Sequence, residues 1–278
     1  MNARETRRRR ATDELIDHVA LEELAAHHGG RLLNPVAIVM AAYKEADNIE
    51  QVVKSMPAEI NGAPTSVVVV VDGEDDGTST IARESGAVAV IAPVNRGQGA
   101  ALRLGYRVAR EYGARFIVTA DADGQTDPED LVHALAPVMK GEKDFVNGSR
   151  RLGATHGRDA VRNTGVVVYA TLVSLLMGEK VTDTANPVRA FTADLTASLT
   201  LEEPQYQASE LLISALSFGV RYGEVPVTML NRSSGKSKKG GNLAYGYRYG
   251  KVLLRTWWRE RMRRRARGRS ERAGQVVR

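Results

Sequence analysis

The sequence predicts an α/β fold, a single large domain built on a mainly parallel central sheet with flanking helices. From Pro35 onward, short β-branched runs alternate with amphipathic stretches, which is the signature of successive βα units. Each run is solidly apolar rather than alternating, as a strand covered on both faces requires. With 278 residues and 43% hydrophobic side chains, the chain has ample apolar material for a core of that size.

Residues 1–34 read as an appended piece: an Arg-rich stub, then a helical pattern in Leu15-Ile16, Val19-Ala20 and Leu24-Ala25, ended by Gly29-Gly30. Strands are expected at 36–42, 66–71, 88–91, 116–120 and 145–148, with helices between them near 48–56, 78–85, 99–111 and 129–139. Pro128 opens the last of these helices in its first turn, where the missing N–H costs nothing. After Arg150 the alternation breaks down into a long apolar helix at 163–177, a helix at 208–218, a strand at 220–229 and a basic, aromatic segment from Tyr245. The chain therefore divides into residues 1–34, a main domain at 35–242 and a basic amphipathic helix and tail at 243–278. There is no internal repeat.

The net charge of +6 is unevenly spread. Residues 1–10 hold five Arg against one Glu and residues 255–278 ten Arg against two Glu, which leaves the body between them at −6. An acidic body with basic ends disfavours nucleic acid as the partner of the whole surface and leaves polyanions to the tails. With no cysteine, any metal must be held by oxygen or histidine. The Arg-rich start is followed by polar Ala11-Thr12-Asp13-Glu14, unlike a secretory signal. The longest apolar run, 166–177, falls short of the about 20 residues that span a bilayer. The expected location is cytoplasmic, peripheral on the inner face of the membrane.

In open α/β sheets ligands bind beyond the carboxyl ends of the strands. The polar residues there are Tyr43-Lys44-Glu45, Asp72 through Thr78, Asn95 through Gly99, and Asp121-Ala122-Asp123-Gly124-Gln125. Two carboxylates two residues apart, on a chain leaving a strand, suit one hard cation such as Mg²⁺ or Mn²⁺, and Gln125 adds a carbonyl oxygen. The same spacing also suits a solvated turn. Asp72 is assigned to a base or ribose hydroxyl, and Asp76 or Thr78 to helix capping. The glycines of Gly97-Gln98-Gly99 read as close packing where the next helix begins. Arg150, Arg158, Arg162, Arg189, Arg232, Lys236, Lys238 and Lys239 crowd the second half, with 232–238 a flexible basic loop of the kind that closes over phosphates.

These motifs together resemble the family-2 glycosyltransferases of the GT-A fold, most of all the polyprenyl- (dolichyl-) phosphate mannose or glucose synthases. The likeness runs from about Val36 to Lys239. Ala41-Ala42-Tyr43-Lys44-Glu45 stands where the family has Pro-x-Tyr-Asn-Glu. There follow in order Asp72-Gly73, Asp76-Gly77-Thr78, Asn95 to Ala101, Asp121 to Gln125, Gly148-Ser149-Arg150, Thr182-Asp183, Arg189-Ala190-Phe191, Glu224 to Val227, and Arg232 with Gly235, Ser237 and Lys238. Ala41, Lys44, Val71, Gln98 and Asn186-Pro187 depart from the family pattern, around the donor.

The resemblance implies a metal-dependent transfer of mannose or glucose from GDP-mannose or UDP-glucose to a polyprenyl phosphate. Ala42, Tyr43, Glu45, Asp72, Gln98 and Asp121 would then hold the donor, and Asp121, Asp123 and Gln125 the metal. Asp123, Arg232 and Lys238 would stabilise the leaving diphosphate, and Arg150, Arg158 and Arg162 would receive the acceptor phosphate. A sugar hydroxyl as acceptor would instead require a carboxylate base, for which Asp183 and Glu210 are the candidates. The rings and arginines between Tyr245 and Arg259 suit an anionic lipid surface.

Overall fold

The computed structural model describes residues 3–153, 160–230 and 242–276. In chain order the elements are α1 (Ala3–His28), β1 (Val36–Ala42), α2 (Ile49–Ser55), β2 (Glu59–Ile60), β3 (Ala63–Asp72), α3 (Thr78–Glu84), β4 (Val88–Ala92), α4 (Gln98–Glu111), β5 (Phe116–Thr119) and α5 (Pro128–Met139). There follow β6 (Phe145–Ser149), α6 (Ala160–Met177), β7 (Arg189–Thr192), α7 (Leu195–Ser198), α8 (Gln207–Phe218), β8 (Tyr222–Pro226) and α9 (Asn242–Val276).

The main run of the sheet is β3-β1-β5-β7-β6-β8, with β4 parallel to the end of β3 and the short β2 antiparallel to its beginning. Apart from β2 and β7, the strands run parallel. The chain moves from β1 out to β3 and β4, then returns to place β5 against the other edge of β1. That reversal opens a crevice at the carboxyl ends of β1 and β5, the position at which doubly wound sheets take ligands.

Successive side chains of a strand point to opposite faces, so β1 serves two cores. Val36, Ile38 and Met40 join Val52 of α2 and Leu131 and Leu135 of α5. Ala37 and Val39 join Leu104 of α4, Leu212 of α8, and residues from both terminal helices: Ile16, Ala20 and Leu24 of α1, Tyr249 and Leu253 of α9. Each fully buried aliphatic side chain contributes about 1.5–3 kcal/mol. The α1 stripe falls at 16, 20 and 24, one helical face, and α1 ends at Gly29 and Gly30, both at positive φ.

Among the differences from the expected elements, three stand out. The strand β3 begins at Ala63, because pairing with β2 extends it. β8 ends at Pro226; Val227 N still donates to Ser149 O of β6 at 3.1 Å, and the N–H of Thr228 then turns to Asp130 Oδ2 at 2.7 Å. β7 was not anticipated: Arg189-Ala190-Phe191-Thr192 opens on a charged residue, yet it is buried between β5 and β6.

Candidate active site

A cavity of about 480 Å³ occupies the switch-point crevice, within the roughly 300–1,000 Å³ common for small-molecule sites. Ala42 at the end of β1, Tyr43 and Glu45 after it, Asp72 at the end of β3, Gln98 at the start of α4, and Asp121 and Asp123 after β5 all line it. Residues spread over more than eighty positions of sequence thus meet because parallel strands deliver their carboxyl ends to one side.

The turn after β5 is shaped by its own polar groups. Asp121 N donates to Thr126 Oγ1 at 3.2 Å, Gln125 N donates to Asp123 Oδ1 at 3.2 Å, and Gly124 takes a positive φ of 75°. Gln98 Nε2 reaches across from α4 to Asp121 Oδ1 at 3.2 Å. The donor set is carboxylate oxygen, which fits Mg²⁺ or Mn²⁺. Among the described residues no group of three or more acidic or histidine side chains is arranged to hold a metal ion, so a cation on Asp121 and Asp123 would complete its shell with ligand oxygens or water. Gln125 stands apart, on a small separate cleft with Thr126 and Asn186, and its Nε2 donates to Leu230 O at 3.3 Å.

At the other end Asp72 is buried, and its carboxylate accepts from the backbone N–H groups of Arg96 (3.1 and 3.2 Å) and Gly97 (2.7 Å). Burial pushes its pKa up, and the two N–H groups pull it partly back. Asp72 thus fixes the β4–α4 loop that forms one wall. A Cβ on Gly97 would lie 2.6 Å from Pro204 O, and one on Gly99 would overlap Glu203 O, so both glycines serve close packing, as the sequence indicates. Capping of α3 is shared: Asp76 Oδ1 accepts from Thr78 N at 3.3 Å, while Asp75, not singled out in the sequence, takes Gly77 N at 3.2 Å and Ser79 N at 3.0 Å. Glu45 accepts from Asn48 Nδ2 at 2.9 Å, and Tyr43 stands at the mouth.

The inner wall comes from Gln205, Tyr206 and Gln207, which sequence patterns did not mark, together with Arg189, which they placed in a basic cluster, and, from the C-terminal helix, Tyr249, which they placed in a lipid-facing segment. Arg189 is 1% exposed and is held by carbonyls, donating to Asn186 O (3.2 Å), Thr184 O (2.9 Å) and Ala208 O. Gln207 accepts from the Tyr106 hydroxyl at 3.4 Å, while its Nε2 is buried with no hydrogen-bond partner among the described residues. Tyr206 holds the left-handed conformation (φ 60°, ψ 25°), uncommon for a bulky side chain and costly enough to mark a constrained site. Tyr249 donates to Thr184 Oγ1 at 2.7 Å, and burial pushes its pKa up to about 12. No local motif announces Gln205, Tyr206 or Gln207; they arrive at and just before the start of α8.

Around Arg150 the arrangement is tighter than the sequence implies. Arg150 forms a bidentate pair with the fully buried Asp183, Nε to Oδ2 at 2.6 Å and Nη2 to Oδ1 at 2.9 Å. Glu210 accepts from Glu202 N (2.8 Å) and Glu203 N (2.9 Å) and pairs with Arg259 at 2.7 Å. Both candidate bases are thus enclosed by partners. Arg162 falls in the first turn of α6; Arg158, Arg232, Lys236, Lys238 and Lys239 lie outside the described residues.

Sheet order and cavity define the GT-A class of sugar-nucleotide enzymes. Glucosyl-3-phosphoglycerate synthase from Mycobacterium tuberculosis, solved with Mn²⁺, uridine diphosphate and phosphoglyceric acid, shares that fold with a TM-score of 0.62 over 86% of this chain and 81% of its own, at 22% identity. Residues 37–196 match the family model for Glycosyl transferase family 2, and the chain belongs to that family. It is 30% identical over 228 residues to a dolichyl-phosphate hexose transferase of Haloferax volcanii, covering 82% of this chain and 96% of the relative. It is 27% identical over 235 residues to the UDP-N-acetylglucosamine–dolichyl-phosphate N-acetylglucosaminyltransferase of Methanococcus voltae, covering 77% and 92%. The protein is a glycosyltransferase.

Proposed function

We propose that this enzyme moves a hexose from a nucleotide-diphosphate sugar to a polyprenyl phosphate, with inversion at the anomeric carbon. The observation that carries the reading is the enclosure of Asp183 and Glu210 in ion pairs with Arg150 and Arg259. A hydroxyl acceptor needs a carboxylate to take its proton, and these two are already committed. A phosphate monoester, with a second pKa of about 6, is largely dianionic near neutrality and is a nucleophile without a base. Two relatives named for dolichyl phosphate support the same acceptor.

In this mechanism an acceptor phosphate oxygen attacks C1 of the sugar, the bond from C1 to the β-phosphate oxygen breaks, and the nucleoside diphosphate leaves with the electron pair. Asp121 and Asp123 would hold a divalent cation, Mg²⁺ or Mn²⁺, which supplies Lewis-acid neutralisation of the departing diphosphate. Tyr43 and Glu45 face the nucleoside, Arg232 and Lys238 close over the phosphates, and Arg158 and Arg162 receive the acceptor. Gln207 Nε2, which has no partner among the described residues, donates to a sugar hydroxyl. Catalysis then rests on positioning and charge.

A lipid acceptor calls for a membrane surface. No helix among the described residues is long and apolar enough to cross a membrane. Exposed Val167, Val168 and Leu175 of α6 and Tyr247, Leu254 and Trp258 of α9, beside Arg248, Lys251 and Arg255, support a peripheral seat on anionic lipid. The test is incubation with labelled GDP-mannose, UDP-glucose or UDP-N-acetylglucosamine and a polyprenyl phosphate, following label into organic solvent. Metal-dependent transfer with one donor is expected; donor hydrolysis without lipid-soluble label from any donor overturns the acceptor while leaving the glycosyltransferase.

A further inference from the structure

The role of the N-terminal helix is not explained by its buried stripe alone. Beside Ile16 and Ala20, α1 presents two acids inward, each about one-fifth exposed. Asp17 Oδ1 pairs with Arg96 Nη2 at 2.7 Å. Asp13 accepts from Arg96 Nη1 through its carbonyl at 3.1 Å, and its Oδ2 lies 3.3 Å from Arg103 Nη2. The Arg96 side chain is 6% exposed and does not line the cavity, whereas its neighbours Asn95, Gly97 and Gln98 do. Arg96 is thus held at both ends: its backbone N–H by Asp72 inside the sheet, its guanidinium by α1 outside. Two residues further on, Gln98 reaches Asp121.

Building on the donor site proposed above, we infer that Asp13 and Asp17 are positioning residues for the nucleotide sugar. They act through Arg96 to fix the β4–α4 loop, and with it Gln98, against the Asp121 carboxylate. A charge-assisted hydrogen bond to a nearly buried guanidinium is among the strong ones, and the loop it restrains is otherwise tethered at this end by Asp72. Releasing it lets the donor wall sample other conformations, so that only a fraction of the protein is competent to bind.

The experiment measures binding of GDP and UDP with Mn²⁺ by calorimetry on the full chain, together with steady-state kinetics. Asp17→Asn is expected to weaken nucleotide binding and raise donor KM by about tenfold, with kcat changed less than about threefold. Arg96→Ala should do the same, and the double variant no more than Arg96→Ala alone. Glu23→Gln breaks another α1 pair, with Arg83 at 2.7 Å, remote from the cavity. It should lower thermal stability without moving donor KM. Unchanged donor affinity in Asp17→Asn, an additive double variant, or an equal donor KM effect from Glu23→Gln overturns the positioning role. Failure of the wild-type chain to bind either nucleotide overturns the donor-site reading itself, and the positioning role with it.

Discussion

The two walls of the cavity use charge in opposite ways. On the wall built by β1, β3 and β5, Asp72 and Asp123 accept from backbone N–H groups and Asp121 accepts from the Gln98 amide. On the wall built by β7 and α8, Arg189 is satisfied by carbonyls, and behind that wall the fully buried Asp183 and Glu210 are matched by arginines. These backbone and amide donors polarise a carboxylate without cancelling its charge. A bidentate guanidinium cancels the charge, so the second wall offers structure rather than a proton acceptor. An enzyme whose acceptor is already an anion can be built that way.

The sharpest way to break this contrast is to remove charge from the first wall. Asp123→Asn is expected to lower transfer and metal-dependent donor hydrolysis by about 10²–10³-fold or more while leaving the fold intact. Label transfer and circular dichroism measured together check it, and retained turnover would remove Asp123 from the metal site. The matching change on the second wall has a different signature. Asp183→Asn leaves the Arg150 cation buried without its partner, which costs about 3–5 kcal/mol, read as a shift of the urea midpoint. If Arg150→Ala instead leaves stability untouched and raises acceptor KM, Arg150 belongs to the acceptor and the contrast fails at its centre.

The same contrast explains what the sequence made legible. The first wall could be read because each polar residue directly follows an apolar run: Tyr43, Asp72 and Asp121 are punctuation marks in a βα pattern. The inner wall could not. Arg189 looks like a surface charge until β5 and β6 close on it, and Tyr206 and Gln207 acquire their place only through the backbone of Tyr206 at positive φ. The terminal helices were legible as helices, but their partners were not, because Leu24 and Leu253 meet the sheet only in three dimensions. Trp257 and Trp258 illustrate the limit: adjacent in sequence, one packs on the core and the other is 56% exposed, as the 100° step between helical neighbours dictates.

Exposure of Trp258 gives a smaller prediction. Trp258→Ser should reduce sedimentation with anionic vesicles about three- to tenfold at low salt, while Trp257→Phe, on the packed side, should leave it unchanged. Raising the salt should weaken wild-type binding further. Equal binding of Trp258→Ser and wild type would move the lipid-facing surface away from α9.

The smallest effect concerns the outer support of the donor wall. Burial holds the Asp17 carboxyl above its ordinary value of 3.8, outweighing the attraction of Arg96, Arg103 and Arg107. The folded chain therefore keeps this proton to higher pH than the unfolded chain does. The corresponding contribution to stability is fully present below pH 3.8 and is lost as pH rises through the raised folded pKa. Asp17→Asn has no proton to lose there, so its stability should fall less steeply than that of the wild type as pH climbs from 3.8 toward neutrality. Urea unfolding at a series of pH values measures the difference in slope; parallel curves would mean that pairing with Arg96 balances burial, and a wild type that gains on the variant as pH rises would mean that pairing outweighs it.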